Sequence, residues 1–154
     1  MLNTTVAFKG HFDARFPDLR KIGAHDDRIP GRPVAEMIAR GLREQKLEIS
    51  GVENEEPFFT ITSRLGQHVY RLDLSIAGIG NSDSTWQINC RRIYGFWKRL
   101  FKNPNEPELA LLLEAIEKVL KSDSRVTEIR WFAEPQYDPW SQKRFSSSPR
   151  TIND

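Results

Sequence analysis

The chain has 154 residues and a mass of 17.9 kDa; 38% of it is hydrophobic, 29% is charged, and 23 Lys and Arg oppose 21 Asp and Glu for a net charge of +2. That length suits one domain whose core needs no disulfide or metal, and the hydrophobic share excludes a disordered polar chain. So even a charge balance excludes binding to polyanions through overall charge, so any basic function must be local.

In chain order, residues 5–12 alternate Val6, Phe8 and Phe12 against Thr5, Lys9 and His11, the period of a half-buried strand. Residues 13–32 carry prolines, glycines and charges without a sustained period and read as a long loop. Residues 33–49 place Val34, Met37, Ile38 and Leu42 at helical spacing behind Pro33, with Gly41 on the same face as a point of close packing. A short acidic turn is expected at 53–57, then strands at 58–63, 69–76 and 86–93. Leu65-Gly66-Gln67 reads as the hairpin between the first two, and 77–84 as a looser loop. Connections this short favour antiparallel neighbours. Residues 107–121 form the strongest helix, with Leu109, Leu112, Leu113, Ile116, Val119 and Leu120 on one stripe and Asn105 as its candidate cap. Residues 126–132 close with a strand that puts Ile129 and Trp131 on one face.

The order β-α-β-β-β-α-β without βαβ repetition predicts an α+β sandwich: one domain over 1–133, two helices on one face of a mainly antiparallel sheet. Residues 134–154 form an extended C-terminal tail rich in Pro and Ser, with Tyr137, Trp140 and Phe145 available to pack on this domain or on a neighbouring chain. The single cysteine, Cys90, permits no internal disulfide. No stretch reads as a signal peptide, and no run approaches the roughly 18 apolar residues of a membrane helix. The expectation is a cytoplasmic protein with no membrane insertion and no cofactor.

His11, Asp13, His25, Asp26 and Asp27 are metal-ligating residue types in or beside the first loop, and a metal-dependent hydrolase could be built on 11–27. Their spacing matches no motif, and solvated loop residues are the plainer reading. Cys90 sits mid-strand on the Trp86-Ile88-Cys90 face, where a buried apolar role is expected over a nucleophile. Gly78-Ile79-Gly80-Asn81 lacks the third glycine and the lysine of phosphate-binding loops. Glu55 and Glu56, adjacent in extended chain, point apart. No catalytic set emerges, so the protein reads as non-enzymatic.

The segment 86–102, WQINCRRIYGFWKRLFK, contains no acidic residue and interleaves flat apolar groups with cations. Arg92, Tyr94, Trp97, Lys98, Arg99, Phe101 and Lys102 are the candidate binding residues. Their apolar side could simply close the core with the charges in water. The same mixture could also anchor a protein, stack and neutralise nucleic acid, or rest on a membrane interface.

The pattern PGRPVAE-x-IA-x-GL, a WQI strand followed by an RLF turn, a leucine-rich helix and a closing IRW strand resembles a family of small uncharacterised bacterial α+β proteins over residues 29–132. The family pattern carries a Trp-Gly-Trp-like element where this chain has Glu55-Glu56-Pro57-Phe58-Phe59. The resemblance implies a bacterial, cytoplasmic, single-domain protein and supplies no catalytic residue. The functional expectation is a protein-binding domain of the adaptor, immunity-protein or chaperone-like kind, with a protein partner or a second copy of itself. The alternatives are a nucleic-acid-associated protein using 91–102 and the metal-dependent hydrolase of the first loop.

Overall fold

The computed structural model describes residues 2–12, 31–55, 58–79, 84–94 and 107–150. Strands β1 (Thr5–Gly10), β2 (Glu48–Glu55), β3 (Phe58–Leu65), β4 (His68–Ile79), β5 (Ser84–Ile93) and β6 (Val126–Phe132) form one antiparallel sheet in the spatial order β2-β3-β4-β5-β1-β6. Helices α1 (Arg32–Glu44) and α2 (Pro107–Ser122) cover one face. The expected α+β architecture is present, with one strand more than the sequence pattern suggests.

That strand is β2. The helix expected over 33–49 stops at Glu44, because Gln45 and Lys46 turn back to bond the Leu42 and Arg43 carbonyls, and Lys46 takes a left-handed φ of 67°. The chain then runs as a strand through Glu55, into what reads as an acidic turn; Glu56 and Pro57 lie outside the described residues. A register shift between Ile49 and Val52 marks a bulge. There Ser50 Oγ accepts from the Thr62 N–H at 3.0 Å, and Arg43 Nη2 donates to the Ser50 carbonyl at 2.8 Å. The extra residue lets Ile49 and Val52 both pack on the core, which defeats a period-2 pattern.

Registered rows of side chains build the helix-covered face. One row runs Phe59, Leu74, Ile88, Val6, Trp131, and the next runs Val52, Ile61, Leu72, Cys90. These rows meet Val34, Ile38 and Leu42 of α1 and Leu112, Leu113, Ile116 and Leu120 of α2 in one buried cluster. The β3–β4 hairpin turns at Gly66, φ 56°, as the sequence suggests. It is held against α2 by His68 Nδ1, 2.9 Å from Glu108 Oε2. Of the loop expected over 13–32, residues 13–30 lie outside the described residues, as does the Asn105 cap, and Arg32 already belongs to α1.

Gly41 is the contact point of the two helices. A Cβ placed there would stand 2.7 and 2.8 Å from the two methyl groups of Val119, closer than carbon atoms approach. Gly41→Ala is therefore expected to destabilise the protein by about 1–3 kcal/mol in denaturant unfolding. Val119→Ala in the same chain should recover part of that loss; a neutral Gly41→Ala would show that the helices are not in contact there.

Candidate functional site on the helix-free face

The second face of the sheet carries the polar chemistry. One registered row runs Glu53, Thr60, Asp73, Asn89, Thr5, Phe132, and the next holds Thr62, Arg71 and Arg91. Asp73, one-tenth exposed, is the hub: its Oδ1 accepts from Arg71 Nε at 2.5 Å and from Thr60 Oγ1 at 3.2 Å, while Arg91 Nε lies 3.3 Å from Oδ2. Arg71 also donates to Glu55. The Asp73 hydrogen bond, opposed by burial, leads the contacts that raise the Arg71 pKa above its ordinary value. Thr5 Oγ1 donates to Asn89 Oδ1 at 3.3 Å and continues the row.

The tail covers the β1 and β6 end of this face, so Trp140 and Phe145 pack on their own domain while Tyr137 stands exposed. The Gln136 N–H donates to Gln87 Oε1 at 3.0 Å. The Trp140 ring has Lys9 Nζ 4.7 Å and the Arg130 guanidinium 4.9 Å from its centroid, and its indole N–H donates to Glu128 Oε2 at 3.0 Å. Arg130 also sits over Phe145 at 4.4 Å. Ser146 then pairs with Trp131 on the edge of β6, and Leu2 pairs with Arg150. This cover explains why Thr5 and Ala7 are fully buried on a face where the alternation predicts exposure. Residues 151–154 lie outside the described residues.

Where β4 and β5 meet the tail, Ser75, Ile76, Ala77, Gln87, Gln136, Tyr137 and Asp138 line a pocket of about 450 Å³. At the other end of β5, Ile93 is 50% exposed beside the largely exposed Arg91 and opposite Val69. Arg92 and Tyr94 fall on the helix side, half-buried, with the guanidinium 4.8 Å from the ring centroid. Of the binding residues read from sequence, Arg92 and Tyr94 are thus brought together; Trp97, Lys98, Arg99, Phe101 and Lys102 lie outside the described residues.

Cys90 is buried, as expected. Loss of hydration, and secondarily the Asp73 charge, push its thiol up to about 12, so it remains protonated and unreactive near neutral pH. His11 is exposed, with its backbone N–H donating to the Arg125 carbonyl at 3.0 Å, and Asp13, His25, Asp26 and Asp27 lie outside the described residues. Among the described residues no group of three or more His, Cys, Asp or Glu is placed to hold a metal ion. No helix among them is long and apolar enough to cross a membrane. Comparison with family models, with curated proteins and with solved structures finds no match to this chain.

Sequence reasoning missed the Asp73 hub and the tail pocket. Alternation along β4 put Arg71, Asp73 and Ser75 on one side, but only strand order shows that Arg91 and Gln87 join them.

Two outcomes follow from this chemistry. Trp140→Ala should release the tail, seen as faster protease cleavage within 134–150 and a loss of about 1–2 kcal/mol. The Trp140 hydrogen bond, opposed by burial and aided by Arg130, holds the Glu128 carboxyl below its ordinary value. A lowered value means that this anchor contributes above the ordinary glutamate range and weakens as pH falls through the lowered one, so acid should also speed cleavage. For Cys90 the sign is opposite. Its raised value makes the contribution complete below the ordinary thiol value of 9.0 and lost as pH rises toward about 12. Unfolding free energy should fall over that window with a slope approaching 1.4 kcal/mol per pH unit from this group, and the difference curve against Cys90→Ala should show it.

Proposed function

We propose that this chain is a non-enzymatic protein-binding domain of a bacterial cytoplasm, of the adaptor, immunity-protein or chaperone-like kind. Its contact groups are the exposed side chains on the helix-free face of β4 and β5 together with the basic aromatic segment 91–102. The observation that carries this reading is Ile93, a large aliphatic side chain half in water beside Arg91, on the strand that leads into the densest group of aromatics and cations in the chain. Exposed apolar area beside arginine is the composition of interface centres, where rigid apolar surface and forked donors give most per immobilised side chain. The buried, protonated Cys90 supports a non-catalytic thiol, and a lone cysteine fits a reducing compartment.

The described part of the helix-free face offers little to a polyanion. Arg71 and Arg91 are matched by Asp73 and Glu55, so few uncommitted cations remain on the described part of the face to neutralise phosphates.

The test is affinity capture followed by residue-level cross-linking. Arg91→Glu with Ile93→Glu, and separately Trp97→Ala with Arg99→Ala, should each reduce partner recovery at least about tenfold at an unchanged thermal midpoint. His11→Ala should bind as the parent does. Recovery unaffected by both double variants would overturn the assignment. Cross-links between copies of this chain, with a doubled solution mass, would identify the partner as a second copy.

A further inference from the structure

The pocket between the sheet and the tail has a distinctive electrostatic character. Among the described residues its lining has one charge, the Asp138 carboxylate, together with the neutral hydroxyl and amide groups of Ser75, Gln87 and Gln136 and the aliphatic Ile76 and Ala77. An anion would meet that carboxylate unopposed. A neutral guest would gain little from it, whereas a cation would form a charge-assisted hydrogen bond.

Tyr137 adds a second, independent observation. The other tail aromatics already carry cations from this chain: Trp140 holds Lys9 and Arg130, and Phe145 holds Arg130. Tyr137, on the pocket rim, is fully exposed, and among the described residues no cation stands over its ring. The wall is also preformed. Gln136 is tied to Gln87, and Asp138 Oδ1 accepts the N–H groups of Trp140 at 3.1 Å and Ser141 at 3.3 Å, which fixes the carboxylate before any guest arrives. A volume of about 450 Å³ lies within the range of binding pockets and admits a long basic side chain.

The geometry points to an arginine or lysine side chain of the partner protein as the guest, its cation on the Asp138 carboxylate and its stem or charge against the Tyr137 ring. This rests on the protein-binding reading and names a chemical feature of the partner. The test needs no partner, so it succeeds or fails independently of the capture experiment. Isotope-labelled protein is titrated with N-acetylarginine amide, with its uncharged isostere N-acetylcitrulline amide, and with spermidine, while backbone amide resonances are followed.

The arginine probe should give saturable shifts at Ser75, Ala77, Gln87 and Gln136, with a Kd on the order of millimolar. The citrulline probe should bind at least about tenfold more weakly. Asp138→Asn, which keeps the Oδ1 acceptor and removes the charge, and Tyr137→Ala, which removes a ring that packs in nothing, should each weaken the arginine probe by a similar factor. Equal binding of the citrulline probe overturns the proposal, as does an absent or non-saturable response to arginine or shifts centred elsewhere. Spermidine binding about tenfold more tightly than the arginine probe would also overturn it, assigning the pocket to a free polyamine.

Discussion

Everything else in the molecule depends on β1 lying between β5 and β6. A strand in that position must satisfy its backbone on both edges, and β1 also buries both of its faces. Its Val6 and Phe8 enter the helix-covered core, and Thr5 and Ala7 are equally buried on the other side. Both neighbours are distant in sequence: Phe8 pairs with Trp86 across one edge and with Ile129 across the other. The sheet therefore cannot close until β6 has formed, which places this fold among those whose speed is limited by long-range pairing. The tail follows from the same constraint. Without residues 134–150 the second face of β1 would be left in water, and the edge of β6 would present unpaired groups at Trp131.

What was legible in the sequence was whatever local periodicity encodes. The alternation of Tyr70, Leu72, Leu74 and Ile76 reports a strand with one buried face, and the α2 stripe reports a helix with one buried side. Cys90 and Trp131 follow from the same pattern. β2 escaped because its bulge puts Ile49 and Val52 on the same face three positions apart, and because Glu53 and Glu55 sit where an edge strand tolerates charge. The sequence left open whether the tail packs on its own domain or on a neighbour, because its binding groups, Lys9, Gln87, Glu128 and Arg130, are spread over three strands. Of the candidate contact residues, Arg92 falls on the expected strand and Tyr94 just past its end, so their contact comes from the structure. The pocket was not, since it needs Gln87 and Gln136 together.

The two faces of the sheet divide the work. On the helix side, specificity comes from shape, and Gly41 against Val119 shows how little space is left. On the other side it comes from charge placement. Asp73 is surrounded by donors and nearly buried, so removing either of its arginines would leave a carboxylate less fully compensated in a poorly hydrated setting. Such a hub fixes the directions of Arg71 and Arg91, which would lower the entropy lost on the proposed association. The proposed guest pocket and the exposed Ile93 lie at opposite ends of this ordered patch.

The bridge between Leu2 and Arg150, with Asn3 bonded to the Pro149 carbonyl at 2.7 Å, sets two distant parts of the chain side by side. A few flexible residues would span that gap and join them into a ring without disturbing any strand. The Gly66-Gln67 turn is exposed and could then be opened to give new ends. In such a circular permutant the first and last strands would become β4 and β3, and β1 would pass from an early segment to an internal one. Folding would then begin from a different set of neighbours toward the same sheet.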